Sequence, residues 1–158
     1  MVSLEIRIEA FDNPAAKALI AEVQAEYVRR YGDVDATPVD PAEFAPPNGA
    51  FLIAYLDGVP AACGGWRLNR GDAEIKRMYV ATAVRGRGVA RRILAELEAN
   101  ARDTGLTRII LETGDRQPEA ITLYESSGYT RIPGFGIYRD EPGCQCYAKP
   151  LNVPAPAR

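Results

Sequence analysis

A strand that leads through a glycine-rich turn into a helix is the feature of this sequence that most constrains its fold. Residues 74–80 alternate charged and apolar side chains, which predicts a strand, and a helical pattern runs from Gly88 to a stop at Gly105. The turn between them reads Arg85-Gly86-Arg87-Gly88-Val89-Ala90. Unpaired N–H groups and the positive end of the helix dipole converge there, and glycine lets a ligand approach the backbone closely. The pattern therefore predicts a site for phosphate or pyrophosphate.

The turn matches neither of two common nucleotide-binding motifs. No Gly-Lys-Ser/Thr follows the glycines, as a Walker A loop requires, and G-x-G-x-x-G lacks its third glycine because Arg91 stands there. The turn resembles instead the acetyl-CoA motif Gln/Arg-x-x-Gly-x-Gly/Ala of the GNAT superfamily of N-acetyltransferases. As in that family, it follows a hydrophobic strand, which here ends Met78-Tyr79-Val80.

A second segment carries the same resemblance. Residues 108–113 form an apolar strand, and a short helix runs from Pro118 to a stop at Gly128. Residues 117–129 are similar to the family's Asn-x-x-Ala-x-x-Leu-Tyr-Glu-x-x-Gly-Phe segment, with Gln117 in place of the asparagine. Together the two segments make the chain resemble the family over residues 51–151.

The order of predicted elements indicates an α/β (α+β) fold. Strands at 4–10, 50–56 and 61–68 precede the central strand, and short strands at 129–132 and 144–149 follow the second motif. A helix begins at Pro14. The resemblance implies the GNAT fold, with a mixed, mostly antiparallel central sheet of about six to seven strands and helices on both faces. We expect one GNAT domain over residues 1–151 and a disordered tail over residues 152–158.

Composition excludes several classes of function. A formal net charge of −2 gives no reason to expect nucleic acid, and the absence of long apolar runs and of a signal-peptide pattern favours a cytoplasmic protein without membrane segments. The chain has no histidine, which excludes a histidine base, a Ser-His-Asp triad and a histidine metal site. Three cysteines do not make a disulfide framework. We expect Cys144 and Cys146 to project from opposite faces of their strand as packing residues, so we predict no metal site.

The resemblance implies that acetyl-CoA is the cosubstrate. In the family, the pantetheine and the developing oxyanion are held by backbone groups where the central strand splays from its neighbour, which here implicates an N–H near Met78. The pyrophosphate is expected on the turn at residues 85–90. The residues expected to bind the cofactor are Met78, Tyr79, Val80, Arg85, Gly86, Arg87, Gly88, Val89, Ala90, Gln117 and Ala120.

The expected catalytic residues are Tyr124 and Glu74. Tyr124 matches the family's tyrosine that protonates the departing thiolate, although it could simply pack on its helix. Glu74 is expected on the same strand face as Met78 and Val80, where it could act as the general base through water; the alternatives are a salt bridge of Glu74 with Lys76 or Arg77, or the other strand carboxylate, Glu112. The expected acceptor-site residues are Trp66, Arg77 and Tyr138, with the alternative that Trp66 belongs to the core.

The resulting expectation is an N-acetyltransferase that moves an acetyl group from acetyl-CoA to a primary amine of a small molecule or peptide. The amine attacks directly in a ternary complex, without a metal. The acceptor remains open among amino acids, polyamines, amine antibiotics and protein N-termini, and family precedent allows a homodimer. The alternative is a non-catalytic acyl-CoA-binding or sensor module on the same fold.

Overall fold

Seven strands form one mixed sheet in the computed structural model, which describes residues 3–151. In chain order the elements are β1 (Leu4–Glu9), α1 (Pro14–Tyr31), β2 (Gly49–Leu56), β3 (Val59–Asn69), β4 (Asp72–Val80), α2 (Val89–Asp103), β5 (Arg108–Gly114), α3 (Pro118–Ser126), β6 (Thr130–Ile132) and β7 (Cys144–Pro150). Two short 3₁₀ turns lie at Pro41–Phe44 and Thr82–Val84. Residues 152–158, expected to be a disordered tail, lie outside the described range.

The strand order is β1-β2-β3-β4-β5-β7-β6, and all neighbours are antiparallel except β4 and β5. The parallel pair follows from the crossover through α2, because parallel neighbours need a long connection and antiparallel ones can be joined by tight turns. The predicted fold class, a mostly antiparallel mixed sheet with helices on both faces, is confirmed.

Local sequence explains where the elements begin and turn. The Asn13 side chain accepts a hydrogen bond from the N–H of Ala16 at 2.7 Å and caps α1. The β2–β3 hairpin turns at Asp57 and Gly58, with φ values of 50° and 82°. Such two-residue turns need positive φ at both central positions, which is why Asp-Gly predicts a hairpin so well.

Two hydrophobic cores lie on opposite faces of the sheet. Helices α2 and α3 cover one face, and α1 with the Pro41–Phe44 turn covers the other. The largest fully buried side chains include Trp66, Tyr147, Phe44 and Phe51. Within the described range, no helix is both long enough and apolar enough to span a bilayer.

Trp66 belongs to the core beneath α2. Its side chain is 0 % exposed, and its indole N–H donates to Asn100 Oδ1 at 2.8 Å. Because β3 is an interior strand covered on both faces, this position has no surface to offer a substrate. The prediction that Trp66 lines the acceptor site was wrong.

A β-bulge interrupts the pairing of β3 with β4. On β3 the single residue Gly64 faces two residues of β4, Arg77 and Met78, between the regular pairs Cys63–Tyr79 and Gly65–Lys76. Arg77 takes up the extra residue with a φ of 61°, a region that side chains other than glycine rarely adopt. A Cβ at Gly64 would collide with the Met78 sulfur and crowd Ile93 of α2, so a larger residue here would displace these side chains.

The bulge reverses the alternation of side chains along β4. Before it, Glu74 forms hydrogen bonds on the side of the sheet that carries α1; after it, Met78 and Val80 pack into the core under α2. Strict alternation would have put all three on one face. The prediction that Glu74 shares a face with Met78 and Val80 was therefore wrong.

Candidate active site

A cleft opens where β4 and β5 part. The two strands pair only at Ala73–Ile109 and Glu74–Ile110, and beyond these positions a cleft of about 320 Å³ separates them. Residues 75–80 of β4 and residues 111–113 of β5 line it, together with parts of α1, α2 and α3. Backbone groups of β4 that would otherwise pair with β5 are thereby left available to a ligand.

The turn before α2 forms one end of the cleft. Gly86 and Gly88 have φ values of 80° and 75°, and a Cβ on either would meet no protein atom within 4 Å. Helix α2 begins at Val89, and in the described residues no side chain caps its first N–H groups. This end therefore offers an uncapped helix N-terminus with open space in front of it, which suits an anion.

Arg85 is already engaged at this end of the cleft. Its guanidinium donates to the Val80 carbonyl at 2.9 Å and to Glu26 of α1 at 2.6 Å. An anion arriving here would share Arg85 with Glu26 or take it over. Arg87, predicted to bind the same anion, is exposed and does not line the cleft.

The structure brings the other predicted cofactor-binding residues together along the cleft. Those that line it are Met78, Tyr79, Val80, Arg85, Gly86, Gly88, Val89, Ala90, Gln117 and Ala120. The set spans the end of β4, the turn before α2 and the start of α3. One elongated ligand could contact all three elements.

Tyr124 of α3 lines the cleft between its two ends. It is 5 % exposed, and its ring packs 5.6 Å from that of Tyr129 and 6.5 Å from that of Tyr147. Burial raises the pKa of the Tyr124 phenol well above its usual value, and no hydrogen bond to a described residue contributes to that shift. The hydroxyl therefore stays protonated at neutral pH, so it can donate a proton but cannot serve as a base.

Glu74 does not line the cleft. It is 4 % exposed and accepts hydrogen bonds from Arg67 Nε at 3.0 Å and Asn69 Nδ2 at 3.2 Å. The salt-bridge alternative describes its environment, although the partner is Arg67 rather than Lys76 or Arg77. The expectation that Glu74 acts as the base was wrong, because its carboxylate is buried in an ion pair away from the cleft.

Three charged side chains form a cluster at the other end of the cleft. Asp35, from the loop after α1, accepts hydrogen bonds from Lys76 at 2.6 Å and Arg77 at 2.7 Å. Burial of Asp35 opposes its ionisation, but the charge and hydrogen bond of Lys76 and a hydrogen bond from Thr37 outweigh it and lower the pKa of the carboxyl well below 3.8. Asp35 is therefore an anion that neutralises one of two neighbouring cations.

Of the predicted acceptor residues Arg77 and Tyr138, only Arg77 lines the cleft. Arg77 lines the cleft, although one guanidinium nitrogen is committed to Asp35. The Tyr138 hydroxyl accepts a hydrogen bond from the N–H of Ala36 at 2.7 Å and does not line the cleft. Tyr138 thus ties the β6–β7 loop to the loop that carries Asp35.

Glu112 of β5 is a carboxylate in the cleft without a local partner. It is half-buried, and among residues 3–151 it accepts no hydrogen bond and forms no ion pair. Burial is the main cause that raises the pKa of Glu112; Asp35 and Glu74 add to it, and Lys76 opposes it. The β6–β7 loop passes close to this side chain, because a Cβ at Gly136 would collide with the carboxylate.

Two thiols lie beside Glu112. Cys146 pairs with Glu112 across the β5–β7 ladder, and Cys144 lies two residues away on the same face. The two sulfurs and a carboxylate oxygen lie within 4.8 Å of one another, so these are residues that could hold a metal ion. The prediction that the two cysteines project from opposite faces was wrong, since residues two apart on a strand share a face.

Several cleft residues were not predicted as site residues from the sequence. Asp35 lies in a loop, where the sequence has no periodic pattern from which the direction of a side chain could be predicted. Tyr27 belongs to the apolar stripe of α1, so it was expected in the core. Glu112 could have been preferred by its position, since it lies on the strand that leads directly into the helix of Tyr124.

Known proteins resemble this chain over nearly all of its length. The sequence profile described as the Acetyltransferase (GNAT) family matches residues 16–129. The "IAA acetyltransferase" of Azospirillum brasilense is 32 % identical over 148 residues, covering 90 % of this chain and 96 % of that protein. A candidate acyl-CoA N-acyltransferase from Klebsiella pneumoniae has a similar crystal structure, with a TM-score of 0.82 and 30 % sequence identity. The match covers 94 % of this chain and 98 % of that chain. The PaiA N-acetyltransferase from Thermoplasma acidophilum, solved in complex with coenzyme A, has a similar fold, with a TM-score of 0.71 and 14 % sequence identity. The match covers 94 % of this chain and 99 % of that chain.

The Asp35 cluster predicts a pH dependence of stability. Because the folded carboxyl binds its proton less tightly than the unfolded one, the unfolded chain takes up more protons as pH falls, and the free energy of unfolding should decline below about pH 5. Asp35→Asn should lower stability at pH 7 by about 3–5 kcal/mol, since it leaves two buried cations without a partner, and should flatten the acid decline. Urea unfolding across pH measures both effects. Asp33→Asn, on the same loop but exposed, is the control and should change neither; an equal effect of both variants would contradict this role of Asp35.

Proposed function

The chain belongs to the acetyltransferase (GNAT) family, and on that premise we propose that it transfers an acetyl group from acetyl-CoA to a primary amine. The acceptor is a small molecule or peptide, and its amine attacks the thioester directly in a ternary complex. One observation carries the proposal: the cleft between β4 and β5 joins an anion-binding turn, a buried tyrosine and an unpaired carboxylate.

We place acetyl-CoA along the cleft. Its pyrophosphate would accept hydrogen bonds from the N–H groups of the turn at residues 85–90, at the positive end of α2. Its pantetheine would then run between the strands, along backbone groups of β4 that have no partner on β5. The structurally similar PaiA enzyme was solved in complex with coenzyme A, which supports coenzyme A as the kind of ligand that this fold binds.

Acetyl transfer needs an oxyanion donor and an acid. As the amine attacks, negative charge develops on the thioester oxygen, which a backbone N–H near Met78 would stabilise. As the tetrahedral adduct collapses, the C–S bond breaks and Tyr124 donates its proton to the departing thiolate. The buried phenol is protonated at neutral pH, so it carries the proton that this step uses. The amine nitrogen gives up its extra proton to the resulting phenolate or to water, which leaves the neutral amide.

Glu112 replaces Glu74 as the proposed base. An alkylammonium is almost fully protonated at neutral pH and cannot attack until it loses a proton. Of the strand carboxylates considered, Glu112 lines the cleft and has no partner, whereas Glu74 is buried against Arg67. We assign Glu112 to bind the incoming ammonium and to receive its proton, directly or through water.

The acceptor end is formed by the Asp35 cluster and Glu112. A cationic amine would meet the one carboxylate there that lacks a counter-charge, and the cleft continues past Tyr124 to reach it. This continuity favours catalysis over the alternative of a non-catalytic acyl-CoA sensor. The name of the Azospirillum relative gives its acceptor as IAA, which is a property of that protein.

The proposed activity can be tested with an amine library. Purified protein is incubated with acetyl-CoA and each amine, and both thiol release and the acetylated amine are measured. At least one primary amine should be acetylated in amounts equal to the thiol released. Binding of acetyl-CoA without turnover of any amine would favour the sensor alternative.

The turn before α2 predicts the effect of a bulky residue at Gly88. Gly88→Val places a branched side chain in the open space where the pyrophosphate would lie, so acetyl-CoA binding should be lost. Gly105→Val is a matched control, because Gly105 also has a positive φ and open space around its Cβ position but lies at the far end of α2, outside the cleft. Calorimetric titration should show wild-type affinity for Gly105→Val only. Wild-type affinity in folded Gly88→Val would contradict the assignment.

Loss of the Tyr124 hydroxyl should slow turnover. If it protonates the thiolate, Tyr124→Phe should lower kcat by about 10²–10⁴-fold while acetyl-CoA affinity changes little. Tyr147→Phe is the control, since that hydroxyl bonds Glu125 and lies outside the cleft. Single-turnover measurements isolate the chemical step from product release. A Tyr124→Phe variant that keeps the wild-type rate would assign Tyr124 to packing alone.

Glu112 and Glu74 should differ sharply when each is replaced by glutamine. Glu112→Gln keeps the shape but removes the charge, so kcat/KM for the amine should fall by about 10²–10⁴-fold. Glu74→Gln should lower stability, because it weakens the pair with Arg67, while kcat/KM stays close to wild type. Steady-state kinetics with both variants, at a temperature where both are folded, distinguishes the roles. A larger kinetic loss in Glu74→Gln would reverse the assignment.

A further inference from the structure

Three metal-ligating side chains meet on one face of the sheet. Glu112 lies on β5, and Cys144 and Cys146 lie on the neighbouring strand β7, with Cys146 directly opposite Glu112. Their ligand atoms lie within 4.8 Å of one another, and all three cysteines of the chain are free thiols. The proposed acetyl transfer uses neither thiol.

We propose that Glu112, Cys144 and Cys146 form a binding site for a soft divalent cation such as Zn²⁺ or Cd²⁺. Two thiolates and a carboxylate are ligands that zinc binds in proteins, and water completes a tetrahedral set. At Zn–S and Zn–O bonds of about 2.3 and 2.1 Å, tetrahedral ligand atoms lie about 3.5–4 Å apart. The distances between the three ligand atoms would therefore have to shorten by about 1 Å or less when the cation binds.

The surroundings of the two thiols are compatible with this ligand set. Burial and the nearby Glu112 raise the pKa of Cys144 to about 12, so the metal-free thiol is protonated at neutral pH. A bound cation would stabilise both thiolates through its own charge, against the cost of burial, and the two thiol protons would pass to solvent. Arg131 is the positive charge that faces both sulfurs in the metal-free protein, and the Phe135 N–H donates towards Cys146.

The site adjoins the acceptor end of the cleft through Glu112. A cation can therefore reach it from the cleft, and once bound it occupies the carboxylate that the acceptor would use. Occupancy should inhibit acetyl transfer. This consequence rests on the proposed function, whereas the binding of the cation does not.

Metal binding is tested first without turnover. Reduced, untagged protein is titrated with Cd²⁺, followed by thiolate-to-cadmium absorption, and with Zn²⁺, followed by calorimetry. The chain has no histidine, so a common competing ligand is absent. We expect one cation per chain. Cys144→Ser and Cys146→Ser should each weaken binding by more than about 100-fold, the upper end of the loss for an outer-shell partner.

A matched control separates this site from general thiol affinity. Cys63 lies outside the three-residue cluster, and its buried thiol donates to the Arg77 carbonyl at 3.3 Å, so Cys63→Ala should bind the cation as wild type does. Glu112→Gln should weaken binding and keep the thiolate absorption. Absence of stoichiometric binding by the wild type, its persistence in the Cys144/Cys146 double serine variant, or its loss in Cys63→Ala would overturn the proposal.

Inhibition is measured by quantifying the acetylated amine, because the released thiol of coenzyme A itself binds Cd²⁺. The wild type and the Cys144/Cys146 double serine variant should have equal activity without metal. Cd²⁺ added at one equivalent per protein chain should inhibit the wild type and leave the double serine variant active. Intact binding without inhibition would leave the metal site standing and would contradict the role of Glu112 in acetyl transfer, so the two proposals fail separately.

Discussion

Strand β4 leaves its parallel neighbour β5 after two paired positions, and the cleft depends on that divergence. If the two strands stayed paired, their backbone N–H and C=O groups would bond to each other and no space would remain between them. Here the bulge at Arg77 and Met78, opposite Gly64, twists β4 while it remains attached to β3. The free edge of β4 then becomes one wall of the cleft, and β5 with α3 becomes the other.

The same bulge directs apolar and charged side chains of β4 to opposite faces of the sheet. Met78 and Val80 turn towards the core under α2, at the end of β4 that leads to the turn at residues 85–90. Lys76 and Arg77 remain on the α1 side, where Asp35 holds both through ion pairs of 2.6 and 2.7 Å. Asp35 offsets one of the two positive charges in this cluster, and within residues 3–151 Glu112 is the strand carboxylate in the cleft that forms no ion pair.

Sequence reasoning succeeded where local pattern determines structure. The helix starts predicted at Pro14 and Gly88 and the strands predicted at 50–56 and 61–68 agree with the structure, and the glycine-rich turn and the segment around Tyr124 line one cleft. It failed where one residue changes a register. The inserted residue at Arg77 leaves only a break in the alternation, the consecutive charges Lys76-Arg77, and because that break was not interpreted as a bulge, Glu74 was placed on the wrong face. Trp66 was misplaced because burial on an interior strand depends on which elements pack over it, and the Cys144–Cys146 pair was misread although its spacing alone puts both thiols on one face.

The central claim is that the cleft between β4 and β5 holds acetyl-CoA with its thioester beside Tyr124. A crystal structure of the protein with coenzyme A tests it most directly. The account predicts pyrophosphate oxygens that accept hydrogen bonds from backbone N–H groups of residues 86–90. It also predicts the sulfur between the two strands, within hydrogen-bonding reach of the Tyr124 hydroxyl. Coenzyme A bound elsewhere, or bound with its thiol directed away from Tyr124, would contradict the account.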